Sequence, residues 1–467
     1  MKNKNSFMIS IILICCVITT LFVCGGGLTG KSAYELAVEE GYNGTLTQWL
    51  DSLRGQDGEN GKDAEVVNYE EMYNAYLTSA NLSSAEFSYL EFIEFLIDKS
   101  AGSNQLNSVS LLYSIQNSIR SSVSIFNLTD SSAGSGSFFR IDNDGTAYVV
   151  TNYHVTYTSS GMTNASYYVL LYEDNCFSTS SQLIKTHGLE AKYIGGSKEH
   201  DIAVLKIAAN AQLAEYKADG IITAVTIDKE LAANTEDIIV GTSCYAIGNA
   251  MGEGMSATQG IISVDFETVE LDDVENSWNT LYMRVMRTNC AINGGNSGGG
   301  LYNSQGELIG VINSKRVYSS PSNTTPIENV SYAIPISVAY GVYQQIMAQC
   351  NGSTVITPTF VLLGVNLQIT DSVTKYNQVT GTIETLQTIT VMTVASDSYA
   401  YGNLVANDVL KSVSVDYASA AKTDVNKLPI KHLHTLKDTL LTASVGDSVS
   451  IEVIRGGQTI TVTITLN

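Results

Sequence analysis

The sequence predicts a mainly β protein with a helical stalk at its N-terminus. Many short apolar runs follow one another after residue 105 and are separated by turn residues. Antiparallel barrels and sandwiches are the folds in which short strands recur at this spacing. The apolar fraction of 44% is enough for packed cores, and 467 residues exceed what one core usually serves. We therefore expect more than one domain.

The formal net charge of the chain is −21. Such a surface repels nucleic-acid phosphates and anionic lipid, so we expect no nucleic-acid partner.

Residues 1–24 predict an export signal or a membrane anchor. Lys2 and Lys4 precede an uncharged run from Met8 to Cys24, and a basic stretch before an apolar one is typical of export signals. The run is also about as long as a minimal membrane span. Its end, LFVC followed by glycines, resembles a bacterial lipoprotein cleavage box in which Cys24 is lipidated. An anchored, a lipidated and a released form stay open, and each places the bulk of the chain outside a bacterial membrane.

The rest of the chain divides into three parts that differ in their sequence patterns. Residues 25–104 combine short helical patterns with a glycine-containing linker and predict the stalk. The β-rich runs then continue over residues 105–352 and close with a helix pattern near Cys350. A second β-rich segment with one short helical piece covers residues 353–467.

The glycine-rich stretch AINGGNSGGGLY surrounds Ser297. It is not a phosphate-binding loop, because no lysine follows the glycines and a strand-turn-strand pattern comes next. The stretch is better explained as a tight turn that presents Ser297 as a nucleophile. The backbone amides of Gly295 and Ser297 converge on one point if the turn adopts conformations that glycine permits. Two such donors form an oxyanion hole.

A serine hydroxyl needs a base, and the base needs an orienting carboxylate. His154 ends the run YVVTNYHV, and Asp201 begins the run DIAVLKI. A lone histidine is more often an ordinary core or surface residue. However, His154, Asp201 and Ser297 follow one another in the order of the chymotrypsin class, which differs from the orders in subtilisin and the α/β-hydrolases. We predict that they form a catalytic triad. His200, beside Asp201, is expected to be exposed and to have no role.

The motifs TNYHV, HDIAVLKI and AINGGNSGGGL resemble the three catalytic motifs of the HtrA/Deg family of trypsin-like serine proteases. GSGSFFRIDNDGTAYVVTNYHV, CYAIGNAMGEGMSATQGIISV, GVINSKR and NVSYAIPI resemble further segments of that family. The resemblance covers residues 105–350. It implies a chymotrypsin-like double β-barrel and a serine endopeptidase that needs no cofactor. It also implies polypeptide substrates, either misfolded or specific exported proteins, and a homotrimer.

The resemblance also places a substrate pocket. Ala291 lies six residues before Ser297, where a trypsin carries an acid at the pocket floor. The other pocket residues are also uncharged, namely Ile292, Ser331, Tyr332 and Ala333. We expect cleavage after small or medium apolar residues and not after lysine or arginine.

The C-terminal segment resembles a PDZ domain of the kind that follows HtrA proteases. Leu362, Leu363, Gly364 and Val365 match the loop that holds the C-terminal carboxylate of a peptide on backbone amides. The peptide adds to the sheet edge as a strand, so we expect C-terminal peptides as partners. A β-rich packing domain without a ligand is the alternative.

The cysteines indicate no metal site, because Cys176, Cys244, Cys290 and Cys350 are widely spaced and form no C-x-x-C pair. Disulfides and buried free thiols both stay open. Cys290 stands where the family usually has a small residue.

Two other functions are compatible with parts of the sequence. A surface chaperone or peptide-binding module would use the barrel as a scaffold, and retention of all three triad residues argues against it. An esterase would use the same chemistry, and no residue favours it over peptide cleavage.

Overall fold

The computed structural model describes residue 74 and residues 104–172, 180–227, 238–272, 275, 280–315, 318–320, 323–326, 329–350, 355–378, 381–419 and 422–467. The predictions for the signal or anchor, for Cys24, for nearly all of the stalk and for Cys176 lie outside these residues. The backbone forms two compact units, Met1–Ser110 and Leu111–Asn467. The described residues of the first unit are helical. None of the helices described is long and apolar enough to cross a membrane.

Six antiparallel strands close a first barrel in the order β1-β2-β3-β6-β5-β4. The strands are β1 (Ser122–Asn127), β2 (Ser132–Ile141), β3 (Ala147–Thr151), β4 (Tyr167–Leu171), β5 (Leu189–Ser197) and β6 (Ile202–Ile207). The helices among them are α2 (Tyr153–Thr156), a 3-10 turn (Met162–Asn164) and α3 (Ser181–His187). Helix α4 (Ala211–Ala218) follows β6, and the side chain of Asn210 caps it by accepting from the amide of Leu213.

A second closed barrel has the order β10-β11-β14-β9-β8-β7. Its strands are β7 (Ser243–Gly248), β8 (Ser256–Asp272), β9 (Thr280–Thr288), β10 (Gly300–Asn303), β11 (Leu308–Lys315) and β14 (Ser331–Pro335). The short pair β12 (Tyr318–Ser320) and β13 (Asn323–Pro326) forms a separate ribbon. Helix α5 (Ile336–Gln349) closes the region.

The two barrels confirm the predicted mainly β fold with a double β-barrel. Strand β3 reads as a continuous apolar run because both of its faces are covered. Ala147 and Val149 lie in the core of the first barrel, and Tyr148 and Val150 lie in the cluster to which both barrels contribute. A closed barrel also removes the unpaired strand edges that would invite aggregation.

Helix α1 (Asn104–Ile119) corrects one detail of the sequence analysis, which expected β structure from residue 105 onward. Leu111, Ile115 and Ile119 recur every four residues, so one helical face packs on the apolar cluster to which both barrels contribute. The hydroxyl of Ser118, on the same helix, lies 2.9 Å from the hydroxyl of Tyr245 in β7.

A third sheet follows the barrels in the order β15-β16-β17-β19-β20, with β18 paired to β17. Its strands are β15 (Val365–Asn377), β16 (Thr382–Val394), β17 (Val409–Asp416), β18 (Val425–Pro429), β19 (Ser448–Arg455) and β20 (Gln458–Thr465). The predicted short helical piece is α6 (Thr435–Leu440). This sheet has an apolar core of its own.

Two buried contacts join this sheet region to the second barrel. The side-chain amide of Gln345, on α5, donates to the carbonyls of Leu441 (3.0 Å) and Ala443 (2.8 Å). Arg284, on β9, pairs with Asp438, on α6. Buried polar groups need such partners, so these contacts fix the sheet region against the barrel.

We predict that Gln345→Leu lowers the free energy of unfolding by about 2–4 kcal/mol, because it leaves two buried carbonyls without a donor. Gln212→Leu, at an exposed position on α4, is the control and should change it by under about 0.5 kcal/mol. Denaturant unfolding followed by circular dichroism gives both values. Equal effects of the two substitutions would contradict the joining role of Gln345.

Candidate active site

The structure brings His154 and Asp201 together, as the sequence analysis predicted. His154 lies on α2, directly after β3, and Asp201 lies in the turn before β6. Asp201 Oδ2 is 2.8 Å from His154 Nδ1, and Asp201 Oδ1 accepts from the backbone amide of His154 at 2.9 Å. The carboxylate therefore fixes both the position and the ring orientation of the histidine.

Asp201 is held in turn by groups on both sides of it. Its backbone is left-handed (φ 49°), a conformation that costs energy for a residue other than glycine. The side-chain amide of Asn152 donates to its carbonyl at 3.0 Å. The side-chain amide of Asn313, from β11 of the second barrel, donates to Oδ2 at 2.5 Å. The carboxylate is buried, so these donors replace the water it has lost.

Ser297 lies at the edge of the second barrel, between β9 and β10. Its hydroxyl donates to the backbone carbonyl of Asn313 at 2.9 Å. Asn313 therefore touches Ser297 through its backbone and Asp201 through its side chain. The hydroxyl must leave this carbonyl before it can pass its proton to a histidine.

The turn around Ser297 depends on glycine at two positions. Gly295 has φ 94°, and a Cβ there would lie 2.3 Å from the carbonyl oxygen of Asn249. Gly298 has φ 85°, and a Cβ there would lie 2.2 Å from the carbonyl oxygen of Ser135 and from Thr151 Oγ1. Both the left-handed backbone and the close approach exclude a side chain.

The two proposed oxyanion amides are available in this turn. The carbonyl of Gly294 accepts from the amide of Met251 at 2.7 Å. In a trans peptide the N–H points opposite to the C=O, so the amide of Gly295 faces away from Met251. Within the described chain, the amides of Gly295 and Ser297 donate no hydrogen bond. They are free to bind an oxygen.

Ser135, on β2 of the first barrel, is a site residue that the sequence analysis missed. Its amide donates to the carbonyl of Ser297 at 2.8 Å, and its hydroxyl donates to the carbonyl of Gly295 at 2.7 Å. The same hydroxyl accepts from the amide of Asn249 at 2.8 Å. Ser135 thus ties the serine turn to the opposite barrel. The sequence analysis did not predict Asn313 as a site residue either. A polar asparagine inside the apolar strand GVINSK is the signal that could have indicated it.

The pKa of His154 lies above its ordinary value. Burial opposes the charged ring, but the charge of Asp201 and its hydrogen bond outweigh that effect. The pair therefore stabilises an imidazolium, the species that forms when a histidine accepts a proton from serine.

The predicted pocket residues differ in burial and in the cluster in which their side chains pack. Ile292 and Ala333 are buried in one apolar cluster of the second barrel. The side chain of Tyr332 packs in a different cluster, so only its backbone can face a pocket on this side. Ser331 is buried and donates to the carbonyl of Cys290 at 3.0 Å, while Ala291 is exposed.

Residues 134–311 match the family model of the trypsin-like peptidase domain. A serine protease Do-like HtrA of Lactococcus lactis subsp. lactis is 32% identical over 46% of this chain and 45% of its own length. The chain is thus similar to serine proteases of the HtrA type and carries a trypsin-like peptidase domain over residues 134–311.

Other relatives align over more of the chain. A Bacillus subtilis serine protease Do-like HtrA is 27% identical over 73% of this chain and 64% of its own length. A solved HtrA-type protease, AlgW with a tripeptide, is 23% identical over 75% of this chain and 95% of its own, with a TM-score of 0.43. The matches to the two Lactococcus lactis proteins cover less than half of those proteins, 45% and 42%.

The predicted carboxylate loop lines a cavity of about 450 Å³. Leu362, Leu363, Gly364 and Val365 form one wall, and Leu436 and Leu440 of α6 form another. Glu199 and His200, from the turn that carries Asp201, complete the lining. Lys437 pairs with Glu199 at 2.9 Å beside it.

The expectation that His200 is exposed is wrong, because its side chain is buried in this lining. Its Nδ1 lies 2.8 Å from Ser197 Oγ, its ring packs edge-on against Phe360, and its Nε2 is buried without a partner among the described residues. Burial lowers the pKa of His200 to about 4, so the ring is neutral at pH 7.

We predict that His154 titrates above its ordinary pKa of 6.5. Imidazole nitrogen shifts in ¹⁵N-histidine-labelled protein measure this directly. Asp201→Asn removes the charge that raises the pKa, so the same resonance should then titrate at lower pH. A histidine signal unaffected by Asp201→Asn would contradict the pairing.

Proposed function

We propose that this chain is a serine endopeptidase. The observation that carries the proposal is the double contact of Asn313, which accepts from the Ser297 hydroxyl and donates to the Asp201 carboxylate. Through it, the nucleophile of one barrel meets the aspartate–histidine pair of the other. The reaction requires no cofactor.

The residues act in a fixed sequence. The Ser297 hydroxyl rotates from the carbonyl of Asn313 toward His154 and attacks the peptide carbonyl as His154 Nε2 takes its proton. Asp201 stabilises the imidazolium that results. The amides of Gly295 and Ser297 bind the oxyanion, and each such donor typically contributes about 3 kcal/mol. His154 then protonates the leaving amine, and water hydrolyses the acyl-enzyme by the same steps in reverse order.

The pocket favours small or medium apolar side chains. Ala291 offers no charge, and the buried neighbours Ile292 and Ala333 are apolar. An apolar wall cannot compensate the desolvation of a lysine or arginine head group. Misfolded polypeptides expose such apolar residues, and the choice of misfolded or specific exported polypeptides as substrates rests on the sequence resemblance.

The protein acts outside the cytoplasm, at a bacterial cell surface, held by its N-terminal segment and assembled as a homotrimer. Relatives named probable periplasmic proteases support the compartment. The anchor and the trimer rest on the sequence resemblance.

A PDZ-like role for the C-terminal region rests on the cavity beside β15. Strand β15 is the edge strand of its sheet, and α6 faces it across the cavity, so an added peptide strand would lie between them. A C-terminal carboxylate would reach the amides of the Leu362–Val365 loop. Because Glu199 and His200 share this lining and precede Asp201, an occupant would touch the turn that holds the triad.

Ser297→Ala in the full-length chain should lower kcat/KM on an unfolded, casein-like substrate by at least about 10⁴-fold. Ser304→Ala is the matched control and should keep full activity, because the hydroxyl of Ser304 donates to the exposed side chain of Gln305. A fluorophosphonate probe should label Ser297 in the wild type and in the control. Cleavage retained by Ser297→Ala, or a wild type that neither cleaves nor reacts, would refute the proposal.

A short peptide with an apolar last residue and a free C-terminal carboxylate should bind to this chain at least about tenfold more tightly than the same peptide with an amidated C-terminus. Only the free carboxylate carries the negative charge that the amides of the Leu362–Val365 loop would bind. Leu362→Asp places a like charge at the loop and should abolish binding measured by fluorescence anisotropy. Val373→Asp, an exposed position farther along β15, should leave it unchanged. Equal binding of the two peptides would argue against carboxylate capture.

A further inference from the structure

Two thiols lie together behind the proposed pocket. Cys244, on β7, and Cys290, just after β9, are both buried, and their sulfurs are 3.8 Å apart. Both are free thiols in the structure. A disulfide has sulfurs about 2.05 Å apart, so bond formation requires an approach of about 1.8 Å.

A glycine on the strand beside Cys244 lets the second thiol come this close. Gly260 is the register partner of Cys244 on β8, and a Cβ at Gly260 would lie 3.0 Å from the sulfur of Cys290. The missing side chain is what admits Cys290 beside Cys244. Thr288 Oγ1 contacts both residues, at 3.3 Å from the sulfur of Cys244 and 3.2 Å from the amide of Cys290.

Cys290 is also part of the pocket wall. It directly precedes Ala291 and Ile292, and its carbonyl accepts from the hydroxyl of Ser331 at 3.0 Å. Thr258 donates to the carbonyl of Ala291 at 3.0 Å. A shift of Cys290 is therefore transmitted to both sides of the pocket.

We propose that Cys244 and Cys290 form a redox-active pair whose disulfide repositions the pocket wall. The oxidant is a low-molecular-weight disulfide, which reaches the two buried sulfurs during folding or during local opening of the barrel. The thiolate of one cysteine attacks it, which forms a mixed disulfide and releases one small thiol. The second cysteine, as its thiolate, then attacks the protein sulfur of that mixed disulfide and releases the second small thiol. Two protein thiols are oxidised, and one small disulfide is reduced to two thiols.

Each sulfur lies within hydrogen-bond distance of the other, so the thiol that reacts first has the second thiol beside it to close the disulfide. An oxidising location outside the cytoplasm makes the reaction available. The effect on the pocket rests on the proposed protease function, whereas formation of the disulfide does not.

The test uses the full-length chain in a glutathione buffer with about a tenfold excess of the oxidised form, both on the native protein and during refolding from denaturant. Free thiols are blocked, and the products of non-reducing digestion are identified by mass spectrometry. We expect a peptide pair joined through Cys244 and Cys290. Cys350→Ala is the matched control and should retain it, whereas Cys290→Ala should not form it.

The pocket effect is measured on the same samples. Oxidation should lower kcat/KM by about tenfold, and a reductant should restore it. The activity of Cys290→Ala should not respond to oxidised glutathione. A chain in which both thiols stay free after native and refolding incubation, or pair elsewhere, overturns the proposal. A link that leaves kcat/KM unchanged overturns its coupling to the pocket. A link in a chain without protease activity supports the redox pair and contradicts the proposed function.

Discussion

The carboxylate of Asp201 is the group on which the site depends. It accepts from the amide and the ring of His154 in the first barrel and from the side chain of Asn313 in the second. A buried carboxylate without such donors would cost several kcal/mol, so the two barrels can dock only where these donors converge. The same bonds that make the aspartate tolerable also fix the ring that it orients.

A second set of contacts joins the two barrels, and it is formed by uncharged groups. Ser135 holds the carbonyls of Gly295 and Ser297, and Gly298 allows the serine turn to lie against the first barrel. The turn thus gets its shape from the neighbouring barrel as well as from its own glycines. Gly295 and Gly298 permit the left-handed backbone of the turn, and the hydrogen bonds of Ser135 hold the turn in that conformation. Such a turn keeps its two amides in place before any substrate arrives, which is the condition for oxyanion stabilisation.

The turn from Ser197 to Asp201 serves two surfaces. One end carries Asp201 of the proposed triad, and the residues before it line the cavity beside α6. His200 fills this position with a neutral ring whose Nε2 has no partner in the described structure. Arg284 with Asp438 and Gln345 with two carbonyls hold the sheet region against the barrel nearby. A molecule bound in the cavity would therefore contact the turn from Ser197 to Asp201, whose other end is held by the bonds of Asn152 and Asn313 to Asp201.

The sequence by itself determined the local chemistry. It supplied a histidine at the end of a buried strand, an aspartate at the start of another, and a serine among glycines that a tight turn requires. Apolar runs of strand length predicted the β architecture, because strands such as β3 are covered both inside a barrel and between the two barrels. Only the tertiary structure decided which distant polar groups meet these residues. Asn313, Ser135 and His200 owe their roles to strand register and barrel docking, which bring together residues more than a hundred positions apart. Cys244 and Cys290 lie side by side for the same reason. Their contact depends on the register of Cys244 with Gly260 and on the absence of a side chain at Gly260. The spacing of the cysteines along the chain indicates neither the register nor the contact.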